Sequence, residues 1–215
     1  MTPTSSIEGL MRAARIVPVL TIHELVHAVP LAQALVAGGI CTLEITLRTA
    51  AGAKAAEAIV ASVPGAVVGL GTVLAVRDLQ LARDIGCAFS FSPGATPELL
   101  DAAARENHPF IPGVATASEL MFARDRGFNV VKLFPAAQLG GISAIKALAG
   151  PFPDALFCPT GGIGEQDFAN YLAMPNVLSV GGSWLASAED IRLNRWQQIE
   201  ERARKSVSKI QMPLD

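Results

Sequence analysis

The chain has 215 residues, 51% of them hydrophobic and 17% charged, with a formal net charge of −2 at pH 7. That composition marks a globular chain and excludes a disordered one. The absence of a basic block argues against nucleic acid as a partner, while a small anionic ligand stays open because local clusters decide that.

Residues 5–15 predict a helix, with Ser5 or Ser6 as N-cap and Glu8 in the first turn. Residues 16–20 read as the first strand, in which Pro18 marks an irregular or sparsely paired place. Apolar positions at Leu25, Ala28, Val29, Ala32 and Leu35 predict a helix over 24–36, stopped by Gly38-Gly39. The strand over 42–48 alternates, with Leu43, Ile45 and Leu47 on one face and Thr42, Glu44, Thr46 and Arg48 on the other. In a parallel barrel the outer face meets helices, so this polar face points inward, where a Glu and an Arg make a site rather than a surface.

An alanine-rich helix follows over 51–62, then a strand over 67–74 interrupted by Gly69 and Gly71. Glycines in strands often mark the close approach of a ligand or another backbone. The pattern continues with a helix over 78–85 ending at Gly86, and a strand over 89–92 running into Pro93-Gly94. A helix over 97–106 has Thr96 as N-cap and Pro at its first position. A strand over 110–114 and a helix over 118–126, closed by Gly127, come next. The strand over 130–134 is apolar except for Lys132, and two of its residues, Val130 and Val131, are β-branched. A helix over 142–148, a strand over 155–159 leading into Thr160-Gly161-Gly162, a helix over 165–173 and a strand over 177–180 leading into Gly181-Gly182-Ser183 complete the series. The last helix, over 194–207, is amphipathic and basic toward its end, as the helix dipole prefers.

Eight strands alternating with helices predict an α/β fold: a (β/α)8 TIM barrel forming a single domain over 1–215, with an N-terminal helix. A doubly wound open sheet is the runner-up. It is disfavoured because no G-x-G-x-x-G follows the first strand, and because the chemically suggestive residues are spread over the C-terminal ends of many strands, where barrel sites lie. Cys41, Cys87 and Cys158 are odd in number and include no C-x-x-C, so they indicate neither a disulfide framework nor a zinc site and read as reduced packing residues. Residues 1–15 lack a secretory pattern and no long apolar run is free of Gly, Pro and charge, which predicts a cytoplasmic protein with no membrane partner.

Barrel closure would gather Glu44, Arg48, Thr72, Ser92-Pro93, Lys132, Phe134, Thr160-Gly161-Gly162 and Gly181-Gly182-Ser183 around one mouth. A buried ammonium without a partner is costly, and a neutral amine in an apolar pocket is the nucleophile that forms a Schiff base with a carbonyl. Glu44 suits proton transfer, Arg48 forked binding of a carboxylate, and Thr72 and Thr160 hydroxyl contacts. The glycine pairs after strands seven and eight occupy the usual phosphate position of these barrels. Each alternative stands beside them: Lys132 with its head in solvent or paired with an acid, a Glu44–Arg48–Lys132 ion network that fixes geometry, and glycine pairs that are only turns. His23, His27 and His108 lack the company of a metal site, and Trp184 and Trp196 read as packing.

The segments Glu44-Ile45-Thr46-Leu47-Arg48-Thr49, Gly71-Thr72-Val73-Leu74, Ser92-Pro93-Gly94, Ile111-Pro112-Gly113, Lys132-Leu133-Phe134-Pro135, Cys158-Pro159-Thr160-Gly161-Gly162-Ile163 and Gly181-Gly182-Ser183-Trp184-Leu185 resemble the bacterial 2-keto-3-deoxy-6-phosphogluconate (KDPG) aldolases. The resemblance runs in order over nearly the whole chain. It implies a class I aldolase of the Entner–Doudoroff pathway on a (β/α)8 barrel, a homotrimer that splits KDPG reversibly into pyruvate and glyceraldehyde 3-phosphate and also cleaves 4-hydroxy-2-oxoglutarate. It implies Lys132 as the Schiff-base lysine and Glu44 as the proton-transfer residue. It also implies Arg48 and Thr72 on the pyruvate carboxylate with Thr160 close by, Pro93 and Phe134 walling the pyruvate pocket, and Gly161, Gly162, Gly182 and Ser183 at the phosphate end. No metal and no cofactor are called for. Leu70, Leu133, Ala115 and Gly164 depart from the usual pattern without removing a reacting group; Ala115 and Gly164 bear on the preference for the aldehyde half. Two rivals are a phosphosugar isomerase using Glu44 as enolising base and a non-enzymatic phosphate-ligand-binding barrel.

Overall fold

The computed structural model describes residues 6–106 and 108–211. Its strands are β1 (Ile16–Leu20), β2 (Thr42–Thr46), β3 (Val67–Gly71), β4 (Phe89–Phe91), β5 (Phe110–Ile111), β6 (Gly113–Val114), β7 (Val130–Leu133), β8 (Leu156–Phe157) and β9 (Val180–Gly182). Between and after them lie α1 (Ile7–Ala14), α2 (Ala28–Ala37), α3 (Gly52–Ser62), α4 (Val76–Ile85), α5 (Pro97–Arg105), α6 (Ala117–Arg124), α7 (Ile142–Ala149), α8 (Phe168–Leu172), α9 (Ala188–Arg192) and α10 (Trp196–Gln211). Six strands form one parallel sheet in the order β5-β4-β3-β2-β1-β9, and β6-β7-β8 form a second. Single parallel bridges join Phe157 to Val177 and Thr160 to Gly181.

Alternation along the strands sorts the apolar residues into two cores. The larger lies between strands and helices and holds Leu43, Ile45, Val131 and Leu133. The smaller fills the curl of the sheets with Val17, Phe89, Phe91, Ile111, Val130, Cys158 and Leu178, and Met11 of α1 enters it. A strand buried on both faces has its side chains divided this way. Ser6 caps α1, its Oγ accepting the Gly9 N–H at 3.1 Å; Ser5, the other candidate cap, lies outside the described residues. Among the described residues no helix is long and apolar enough to cross a membrane.

Several predicted boundaries move. The strand over 42–48 ends at Thr46, and that over 67–74 ends at Gly71 because Thr72 turns to φ 60°. The strand over 110–114 is two pieces divided at Pro112, which has no N–H to donate to a ladder. The strand over 155–159 shortens to Leu156–Phe157. That over 177–180 becomes Val180–Gly182, since pairing with β1 begins only at Ile16 opposite Val180. The helix over 78–85 starts earlier, at Val76, because the Asp78 carboxylate accepts the Leu74 and Ala75 N–H groups at 2.9 and 3.0 Å. The helix over 24–36 opens as a 3₁₀ turn, Leu25–His27, and the one over 165–173 contracts to α8. The final helix cannot begin at Asn194, whose φ is 53°. It starts at Trp196, and α9 precedes it unanticipated, although Ser187 three residues before Asp190 is a capping pattern.

Cys87 and Cys158 are buried, free thiols, pushed up by that burial to about 12 and about 11, so neither is a thiolate at neutral pH. Cys41 is exposed, not a packing residue.

His108 is buried, and its Nε2 sits 2.8 Å from Ser90 Oγ on the helix-facing side of β4. Burial lowers its pKa from the ordinary 6.5, the nearby Arg83 lowers it further, and Glu106 opposes both. The unfolded chain therefore binds the proton first as pH falls through 6.5, and stability declines from there down to the folded-state pKa. Between pH 7.5 and 5.5 the wild-type Tm should fall more than that of His108→Gln, measured side by side; parallel curves would refute this role for His108.

Candidate active site

Lys132 stands on the inward face of β7, next but one to Val130, and Glu44 on the inward face of β2 between Thr42 and Thr46. Both are almost fully buried, at 2% and 1% exposure. Lys132 Nζ donates to Glu44 Oε1 at 3.0 Å and approaches Oε2 at 3.4 Å. The ammonium lies over the ring faces of Phe91 and Phe134, 4.9 and 5.6 Å from their centroids, where the ring quadrupoles favour a cation. Phe91 escaped the sequence reading, although its spacing from Phe89 puts both on one strand face.

Gly69 and Gly71 do mark close approach, but by side chains rather than by another backbone. A Cβ at position 69 would collide with the Phe89 ring, and one at 71 with the Glu44 carboxylate. Glycine at 71 thus leaves the space in which Glu44 reaches Lys132.

Because β2 stops at Thr46, Arg48 emerges at the rim, exposed, and its Nε donates to Thr72 Oγ1 at 3.1 Å. Thr72 holds the left-handed conformation that costs a non-glycine residue about 1 kcal/mol. Backbone hydrogen bonds on either side secure it: Leu47 N–H to Gly71 O at 2.9 Å, and Val73 N–H to Phe91 O at 3.1 Å. The strained turn aims the Thr72 hydroxyl at Arg48.

A cavity of about 600 Å³ opens over this floor, lined by Arg48, Phe134, Thr160, Gly161, Gly162, Gly182 and Ser183 among others. Lys132, Glu44, Thr72 and Pro93 are not in its lining. Lys132 meets the lining at the ring face of Phe134, Glu44 stands behind it, bonded to Lys132, and Thr72 reaches the cavity through Arg48. Pro93 packs its backbone where a side chain at Gly113 would be, and Gly113 pairs with Lys132. Gly161 and Gly162 have φ of 101° and 72°, a geometry that favours glycine. The lining also includes Val19, Thr21, Ile163, Trp184 and Ser187, which the sequence reading left out or, for Trp184, assigned to packing. Trp184 does pack, stacked on Phe168 with ring centroids 5.4 Å apart, and its ring occupies the place a Cβ on Gly182 would take.

The segment after β9, which bears Ser183, is tied to α10. Arg202 Nη1 donates to Leu185 O at 2.8 Å and to Asp190 Oδ2 at 3.0 Å, and Arg195 Nη1 donates to Asp190 Oδ1 at 3.2 Å. Burial works to raise the Asp190 pKa, but hydrogen bonding with Ser187, Arg202 and Arg195 outweighs it and holds the carboxyl below its ordinary value. Among the described residues, Arg48 is the one charged side chain lining the cavity, and no group of three or more His, Cys, Asp or Glu is placed to hold a metal ion.

The family model of the KDPG and KHG aldolases matches residues 7–202. The chain belongs to this family. It is 45% identical over 203 residues to the KHG/KDPG aldolase of Escherichia coli strain K12, covering 94% of this chain and 95% of that one. The KDPG aldolase of Legionella pneumophila, solved with pyruvate captured at low pH as a covalent carbinolamine intermediate, superposes with a TM-score of 0.91 at 43% identity, covering 94% of this chain and 98% of that one. The 2-keto-3-deoxy-6-phosphogluconate aldolase of Zymomonas mobilis ZM4, solved with 3-phosphoglycerate, gives 0.87 at 42% identity, covering 93% and 94%.

Proposed function

We propose that this family member is a class I aldolase that reversibly cleaves 2-keto-3-deoxy-6-phosphogluconate to pyruvate and glyceraldehyde 3-phosphate through an imine on Lys132, and that it also cleaves 4-hydroxy-2-oxoglutarate to pyruvate and glyoxylate. The observation that carries the reading is the isolated Lys132–Glu44 pair, 3.0 Å apart beneath a cavity with a cationic rim. A purely structural ion pair has no need of an adjoining anion-sized cavity. The covalent pyruvate adduct of the Legionella relative and the double name of the Escherichia coli one support the chemistry and its breadth.

In this mechanism Lys132 passes its proton to Glu44 and attacks the C2 ketone. The carbinolamine loses water to give an iminium. Glu44 or a water it orients removes the C4 hydroxyl proton, and the C3–C4 electron pair moves into the iminium as the aldehyde departs. Protonation of the resulting enamine at C3 and hydrolysis free pyruvate and restore the amine. Thr72 Oγ1 already accepts from Arg48 Nε, so its own hydrogen is free for the substrate carboxylate, beside the outer nitrogens of the guanidinium. Phe134 walls the pyruvate, with Pro93 behind; Thr160 stands near C4; backbone N–H groups of Gly161, Gly162 and Gly182 and the Ser183 hydroxyl receive the phosphate.

The whole chain acts as one (β/α)8 barrel domain. Supporting closure, the Lys132 N–H of β7 donates at 2.8 Å to the carbonyl of Pro112, the residue between β5 and β6, and the bridges at Phe157–Val177 and Thr160–Gly181 span the gap from β8 to β9. The protein works in the cytoplasm as a homotrimer; Val26 at 70% and Leu74 at 62% exposure are apolar surface that assembly would cover.

Turnover on KDPG, its C4 epimer and 4-hydroxy-2-oxoglutarate tests the assignment. The expected order places KDPG first, and no pyruvate from any of the three would defeat it. Ser183→Phe should raise KM for the phosphorylated substrate at least tenfold more than for 4-hydroxy-2-oxoglutarate; equal losses would remove Ser183 from the phosphate end.

A further inference from the structure

Thr21 lies just past the end of β1, the strand between β2 and β9. Val17 belongs to the inner core, so Val19 and Thr21 follow it on the inward face, and both line the cavity. The register pairs Val19 with Glu44 and Leu20 with Ile45, which brings Thr21 beside Thr46; on the other side Pro18 pairs with Gly182. Thr21 thus stands between the strand of Glu44 and Arg48 and the strand that leads to Ser183.

Its hydrogen bonding has a fixed direction. Thr46 Oγ1 donates to the Leu20 carbonyl at 3.1 Å, and Thr21 Oγ1 lies 3.1 Å from Thr46 Oγ1. A threonine hydroxyl has one hydrogen. Thr46 has committed its own to Leu20, so Thr21 must be the donor to Thr46. What Thr21 presents to the cavity is then an oxygen with lone pairs and no hydrogen to give. The groups assigned above to the carboxylate and the phosphate are all donors: Arg48, Thr72, the Ser183 hydroxyl and backbone N–H groups. An acceptor set between two donor ends calls for a substrate hydroxyl between two anionic ends.

We infer that Thr21 is a specificity-determining residue that accepts a hydrogen bond from the hydroxyl on the carbon next to the aldehyde carbonyl, so that the site favours 2-hydroxyaldehyde phosphates over their deoxy counterparts. The inference rests on the aldolase reading. Glyoxylate has no such hydroxyl, so Thr21 sets the balance between the two aldehyde classes.

The test runs the reaction in the condensation direction, joining pyruvate to glyceraldehyde 3-phosphate or to 3-oxopropyl phosphate, which is the same chain without the hydroxyl. Wild type should favour the hydroxylated aldehyde about five- to tenfold in kcat/KM, the worth of one neutral hydrogen bond. Thr21→Val should bring that ratio near one, and Thr21→Ser should keep it. Thr21→Ala provides the same readout if the valine variant misfolds, with borohydride trapping of pyruvate reporting a folded site. A ratio unchanged in Thr21→Val, or equal losses on both aldehydes, would overturn the assignment, as would a wild type that does not discriminate. A wild type that condenses neither aldehyde would overturn the aldolase reading itself, and the Thr21 assignment with it.

Discussion

Lys132→Met is expected to abolish aldol cleavage, with a loss on the order of 10⁶-fold as for removal of another covalent nucleophile, and to abolish borohydride trapping of pyruvate. Methionine matches the lysine stem in length and suits the apolar surroundings of Phe91 and Phe134, so packing is conserved while the amine is lost. The variant should also be less stable by about 3 kcal/mol, because it leaves the Glu44 carboxylate buried without its partner. The double variant Lys132→Met/Glu44→Gln should recover most of that stability and none of the activity, which separates the electrostatic contribution of the pair from its chemistry. Activity within tenfold of wild type, or a pyruvate adduct at another lysine, would end the Schiff-base mechanism. The isomerase rival predicts instead that Lys132→Arg keeps turnover, since that reading uses the lysine only as a cation.

Glu44→Gln should lower kcat by about 10²- to 10⁴-fold, the usual contribution of a positioned general acid–base group, with little change in KM. The replacement has the same shape and its amide oxygen can still accept from Lys132, so the fold is retained. Pyruvate should still be trapped on Lys132 by borohydride, more slowly, because imine formation needs proton transfers that solvent can supply less efficiently. Single-turnover trapping beside steady-state cleavage distinguishes the two roles. A kcat within a few-fold of wild type would assign Glu44 to geometry alone and favour the structural ion pair.

Much of the candidate site was legible in the sequence because its signals are local. Alternation over residues 42–48 put Glu44, Thr46 and Arg48 on one face, and a lysine inside an apolar strand is conspicuous by itself. The same alternation over Phe89 and Phe91, or over Val17, Val19 and Thr21, carries no charge to draw notice, so those residues went unmarked. The glycines were recognised as close approaches but not what approaches them, since that depends on the neighbouring strand. Strand ends shifted wherever one residue overrode the pattern: the left-handed turn at Thr72 and the missing donor at Pro112.

The alternation of strands and helices and the chemical types at the strand ends are written in the chain itself, because both follow from periods of two and 3.6 residues and from glycine and proline punctuation. Which of those residues meet depends on how the strands pair in three dimensions. Lys132 and Glu44 are 88 positions apart, and their contact follows from pairings summed across two sheets, with a glycine on a third strand leaving the room. The direction of the Thr21–Thr46–Leu20 hydrogen bonds is likewise a matter of strand register, which no single segment contains.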